Sequence, residues 1–161
     1  MEINVIVYDA NGSSTATLIY LAQCRHFFTV DAEEYPMTSI KRNNYSALPT
    51  PGGPYVHAVR HRDVVYVSGL TAFATAAQGQ PAAVQAQAIL EQLTTLAAAE
   101  GGDLTSVLKL SVFLTDIADL PALRPILFNA FDGALPACSL VAVSALFSPE
   151  VRVEIEAILA L

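Results

Sequence analysis

The chain has 161 residues, of which 53% are apolar and only 14% charged, with a formal net charge of −7. That length suits one domain with a sizeable core, and so little polar surface leaves apolar area for another subunit to cover. Eight Lys and Arg residues spread along an acidic chain argue against nucleic acid as a partner, because phosphate contacts need clustered cations.

No apolar run reaches a membrane-spanning length. The N-terminus lacks a basic stretch followed by an apolar one, so neither a membrane segment nor a secretory signal is expected. Cys24 and Cys138 are too few for a disulfide framework, which points to a reducing cytoplasm. His26, His57 and His61 do not fall at metal-site spacing with either cysteine, so no metal is expected.

In chain order, "INVIVY" and "TATLIYLA" flank the turn-rich "DANGSS" and read as a β-hairpin, followed by an acidic break at "DAEEYP". Residues 1–36 are either this extra hairpin or an upstream extension ahead of a true start at Met37. "PTPGGPY" predicts an extended loop. "VHAVRH" and "VVYVSG" then form two short strands around a tight turn at Arg62-Asp63.

Residues 81–100 place Ala82, Ala86, Ile89, Leu93 and Leu96 at steps of three and four, one face of a helix. Gly101-Gly102 ends it, since glycine accepts the left-handed cap conformation. "VLKLSVFLT" predicts a strand with Leu108, Leu110, Val112 and Leu114 on one side. A shorter helix is expected over 119–131, with Asp119 as N-cap and Pro125 near its first turn, the place a helix tolerates proline.

Strands at 139–146 and 151–160 close the chain. In the last, Val151, Val153, Ile155 and Ala157 share one face and Arg152, Glu154 and Glu156 the other. Alternating charges usually mark a solvated sheet face. At a subunit boundary, though, a carboxylate needs a partner or a task. The order ββαβαββ predicts an α+β fold, a mixed sheet with two helices on one face.

"GGPYVHAVRHRDVVYVSG", "LKLSVFLTDIADL", "LPACS" and "VRVEIEAI" resemble the signature blocks of the RidA/YjgF family of reactive intermediate deaminases, in order and nearly without gaps from Met37 to Leu161. Gln85 and Gly101 fit the family's long helix. The resemblance implies a chorismate-mutase-like fold and a homotrimer with clefts between subunits. There enamines and imines are hydrolysed to a 2-keto acid and ammonia, with no cofactor. Carried over by motif, Tyr55 of "GPY" lines the cleft, Ser68-Gly69 supplies backbone groups, and Glu154 holds the attacking water, with Glu156 as a structural neighbour. Leu140 also falls among the lining residues.

One departure stands out. Where the family block has Pro-Ala-Arg-Ser, this chain has Pro136-Ala137-Cys138-Ser139, so Cys138 occupies the seat of the arginine that clamps the substrate carboxylate. A thiol cannot offer the bidentate, permanently charged donors of a guanidinium. Arg124 falls where the family usually has a cleft-lining asparagine. It is either a relocated clamp or a solvated helix residue.

Cys138 as a nucleophile would need a base and a lowered pKa. His57 is a candidate partner in space, against the simpler reading of a packed thiol. Two functions fit: a deaminase acting on something other than 2-iminopropanoate, and a non-catalytic trimer binding a small metabolite or a protein. A ribonuclease, a label also attached to the family, sits badly with the charge of −7.

Overall fold

The structure, a computed structural model, describes residues 3–8 and 14–19 as backbone strands and residues 40–161 in full. The chain divides into two units, Met1–Thr38 and Ser39–Leu161. In the first, β1 (Ile3–Tyr8) pairs antiparallel with β2 (Ser14–Ile19), as the hairpin pattern predicts. The acidic break at "DAEEYP", with Cys24 and His26, lies outside the described residues.

The second unit is built around "VEIEAILA". Its strict alternation makes β8 (Val153–Ala160) a strand whose Val153, Ile155, Ala157 and Leu159 are buried. Two long antiparallel partners flank it, β5 (Val64–Thr71) and β6 (Val107–Leu114). Beyond β5 lie β4 (Ala58–His61) and a short edge strand, β3 (Lys41–Asn43). On the other side β7 (Ala137–Ala142) runs parallel to β6. The order is β3-β4-β5-β8-β6-β7, a mixed sheet.

Helix α1 (Ala82–Glu100) packs Ala86, Ile89, Leu93 and Leu96 against one sheet face, and α2 (Leu120–Phe131) adds Leu123 and Phe131 to the same core. Gly101, at φ 93°, ends α1 in the left-handed conformation. The expected α+β architecture is present, with β3 added at the edge. No helix among the described residues is long and apolar enough to cross a membrane.

Four local expectations need correction. Leu108 is 53% exposed, because the β6–β8 register steps from Val107 opposite Leu159 to Lys109 opposite Ile158. This bulge puts Val107 in the core instead. Asp119 does not cap α2 with its side chain. A 3-10 turn over Ile117–Asp119 leads into the helix, Asp116 accepts the Ala118 N–H, and Asp119 Oδ2 is buried without a partner.

Pro125 lies inside α2, while Pro121 holds the first-turn position. Finally, β7 ends at Ala142 and not at 146, because its partner β6 ends at Leu114; the Val143 N–H to Leu114 carbonyl bond (2.8 Å) is the last rung.

Candidate functional site

The site starts from a break in β5. Val67 pairs with Ala157 and Leu70 with Ile155, so three steps on β5 match two on β8 and the strand bulges at Ser68-Gly69. The bulge ties down the proline-rich loop: Ser68 Oγ donates to the Val56 carbonyl at 2.7 Å, and the Ser68 N–H donates to the His57 carbonyl at 3.0 Å. Tyr55, at the end of that loop, is thereby held beside the bulge.

Gly69 makes room for Glu154. A Cβ there would overlap the Glu154 carboxylate, so the glutamate side chain lies over the bare α-carbon. Glu154 stands opposite Thr71 on one side and Phe113 on the other, on the sheet face away from the helices. Burial pushes its carboxyl above the ordinary glutamate value, and the charge of Glu156 pushes it further. Among the described residues no donor hydrogen-bonds to this carboxylate.

Tyr55 and Gly69 line a cavity of about 410 Å³ with Pro49, His57, Phe73 and Phe147. That volume lies within the range of about 300–1,000 Å³ usual for small-molecule sites. Phe73 and Phe147 meet edge to face at its rim, ring centroids 5.2 Å apart. The His57 ring is fully engaged: Nδ1 accepts the Tyr45 N–H at 3.0 Å, and Nε2 lies 2.8 Å from the Pro49 carbonyl. Those contacts put the proton on Nε2 and make the ring a brace for the loop.

A neighbouring recess of about 460 Å³ is lined by Arg42, Gly53, Tyr55, Val59 and Ser68. Tyr55 therefore forms a wall of both spaces. Of the motif-predicted residues, Tyr55, Ser68, Gly69 and Glu154 come together in one chain.

Arg124, Cys138 and Leu140 do not join them. Cys138 pairs with Leu110 and Leu140 with Val112, core residues that face the helices. Cys138 and Arg124 instead share an apolar recess of about 160 Å³ with Leu127, Phe128, Phe131 and Leu135. Burial there raises the thiol pKa, against a smaller opposing effect of Lys109, so the neutral thiol dominates. The pairing of Cys138 with His57 is not formed. His57 enters the sheet at β4, near one edge, and Cys138 lies on β7 at the other.

Two contributors, the Phe73–Phe147 rim and Arg42, lie outside the sequence expectations, and a third, Gln85, is expected only as a fit to the long helix, without its bonding role. Gln85, fully buried, donates to the Gln80 and Glu150 carbonyls (2.8 Å each) and accepts the Arg152 N–H at 2.9 Å, which locks α1 to the start of β8. The Phe73–Phe147 rim and Arg42 carry no periodic signal in the sequence. Arg42 sits on β3, a strand too short and polar to be read from pattern. Among the described residues no group of three His, Cys, Asp or Glu side chains could hold a metal ion.

The chain as a whole is similar to proteins of one family. Residues 45–161 match the family described as endoribonuclease L-PSP. The chain is 35% identical over 127 residues to a 2-iminobutanoate/2-iminopropanoate deaminase of Mus musculus, a match covering 76% of this chain and 93% of that one. It is 32% identical over 113 residues to the 3-aminoacrylate deaminase RutC of Acinetobacter baylyi, covering 68% and 89%. Among solved structures it resembles a Pseudomonas aeruginosa protein of unknown function, with a TM-score of 0.70 and 34% identity over 78% of this chain and 94% of that one. It also resembles RidA from an Antarctic Psychrobacter, with a TM-score of 0.65 and 31% identity over 70% and 93%.

Proposed function

Because the chain belongs to the endoribonuclease L-PSP family, the RidA/YjgF family its motifs resemble, we propose that it is an enamine and imine deaminase acting on a small reactive intermediate other than 2-iminopropanoate. The observation that carries this is Glu154, laid over Gly69 beside the Tyr55-lined cavity, with its carboxyl pushed up by burial. A carboxylate in such a place is suited to take a proton from water.

The reaction balances with water alone. Water oxygen bonds to the C=N carbon while Glu154 accepts its proton, and the proton passes to nitrogen. The carbinolamine then collapses: its hydroxyl proton passes to nitrogen by way of Glu154, the C–N bond breaks, and ammonia leaves a carbonyl product; an enamine enters the same path once proton transfer from nitrogen to carbon has made it the imine. Ser68 Oγ has committed its proton to Val56, so toward substrate it offers lone pairs and accepts from an N–H.

Homotrimer assembly is part of this reading. Cys138 and Leu140 face the helix side of their own sheet and Arg124 lies on α2, so the three reach a cleft only as the wall supplied by a neighbouring subunit. Residues 37–161 form the functional domain, residues 1–36 an N-terminal extension, and the site of action is the cytoplasm. A second reading, a non-catalytic trimer that binds a metabolite or a protein, is favoured by one observation: the thiol of Cys138 at the arginine's seat, in an apolar recess.

Ammonia release from the purified protein over a panel of imino acids and of cyclic and aromatic enamines separates the two. Turnover that is lost in Glu154→Gln and kept in Glu156→Gln supports the deaminase. Turnover unchanged in Glu154→Gln, or absent on every substrate, refutes it. Light scattering at micromolar concentration should give a mass near three chains, and a clean monomer would remove the shared cleft.

A further inference from the structure

The loss of arginine at residue 138 leaves a substrate carboxylate without its usual partner, and the structure offers another cation on the same face as Glu154. The β3–β4 register sets this. Asn43 pairs with Ala58 and Arg42 with Val59. Asn43 turns toward the helices, where its Nδ2 donates to Glu100 Oε1 at 2.6 Å. Alternation then sends Arg42 to the opposite face, the one carrying Tyr66, Ser68 and Glu154.

The strand is held there firmly. Glu100 also accepts the Tyr45 hydroxyl at 2.5 Å and Arg60 Nη1 at 3.1 Å, which ties β3, β4 and the end of α1 together. Arg60 is thereby used up. Arg42 is not: among the described residues its guanidinium has no ion-pair or hydrogen-bond partner. It lines the recess of about 460 Å³ together with Tyr55 and Ser68. Two strand spacings, roughly 9–10 Å, separate β3 from β5, and an arginine side chain can cross most of that gap.

Arg42 also precedes residues 45–161, the stretch that matches the family. We infer that Arg42 is the carboxylate anchor of this protein, so that its substrate is an imine or enamine bearing a carboxylate held by the guanidinium of Arg42 beside Tyr55 and Ser68. The inference rests on the deaminase reading for the reaction but not for the anchor itself. It makes the clamp a property of the chain that carries Glu154. Arg124, on the helix side, is not required for it.

A planar guanidinium binds a carboxylate through two parallel N–H bonds, whereas a neutral amide of the same shape gains neither the charge nor the second acceptor. Calorimetry on the full chain, with 2-oxobutanoate and its carboxamide as probes, reads the anchor without turnover. Wild type should prefer the acid by about tenfold or more. Arg42→Ala and Arg42→Gln should abolish that preference and leave carboxamide binding unchanged. Arg42→Lys should restore it in part. An acid preference that survives Arg42→Ala or Arg42→Gln, or is absent from wild type, overturns the inference.

Ammonia release is followed on the same variants. A preference lost with Arg42 in a protein that hydrolyses no imine keeps the anchor and discards the deaminase. Hydrolysis with an Arg42-independent preference does the reverse. Arg42 is exposed on an edge strand, so melting temperature and trimer mass should match wild type in every variant.

Discussion

Gly69→Ala tests the Glu154 placement most sharply. The new methyl would lie 2.6 Å from Glu154 Cδ and 2.9 Å from Cγ, and closer still to Oε1. Comfortable carbon–carbon contact is about 3.5–4.0 Å, so the overlap is close to 1 Å. All three atoms belong to the outer part of one side chain and none to the backbone, so β5 and β8 can keep their register while the glutamate swings away. Overpacking costs about 1–3 kcal/mol, and a half-buried, movable partner favours the low end. Displacing a general base costs about 10²–10⁴ in rate.

The expected result is therefore a protein that folds and assembles, unfolds at slightly lower urea, and releases ammonia at least about a hundredfold more slowly. Adding Glu154→Ala removes the overlap, so the alanine at 69 should cost less in that background, with a coupling of about 0.5–2 kcal/mol. Wild-type turnover in Gly69→Ala, together with an equal stability cost in both backgrounds, would refute the contact and with it the role of Gly69.

The raised carboxyl pKa of Glu154 predicts that turnover climbs with pH through a limb above the ordinary glutamate range. Glu156→Gln should move that limb to lower pH, and a pH–rate profile that stays in place contradicts the assigned cause. Because the folded-state value is raised, ionised Glu154 costs stability above the limb and the cost disappears as pH falls through it. Glu154→Gln should therefore melt above wild type at neutral pH and match it in acid.

At Glu100, 7% exposed, burial alone would raise the carboxyl, but the hydrogen bonds from Tyr45, Asn43 and Arg60 outweigh it and hold the pKa below the ordinary value. Its stabilising share is complete above the unfolded pKa and fades as pH falls through the depressed folded one. Glu100→Gln should cost about 1–3 kcal/mol in urea unfolding at neutral pH, with the gap narrowing in acid. A gap that widens in acid would refute the assignment.

Local periodicity was enough for the elements whose pattern is long. The alternation of "VEIEAILA", the three-and-four steps of α1 and the glycine after it follow from which side chains can face a core, so they can be read one segment at a time. The blocks around Tyr55, Ser68-Gly69 and Glu154 likewise lie in the chain as motifs, and those four residues meet in the structure. What the sequence could not decide was pairing.

A strand such as β3 exists because β4 offers it hydrogen bonds, and β7 stops where β6 runs out. Leu108 is exposed because the neighbouring strand counts one residue fewer. Register also assigned faces. A shift of one residue turns every side chain over, and so the pairing of Cys138 with Leu110 set the thiol toward the helices. The pairing of Arg42 with Val59 set that guanidinium toward Ser68. Partners far apart in the chain determined both placements, and no stretch of sequence read alone contains them.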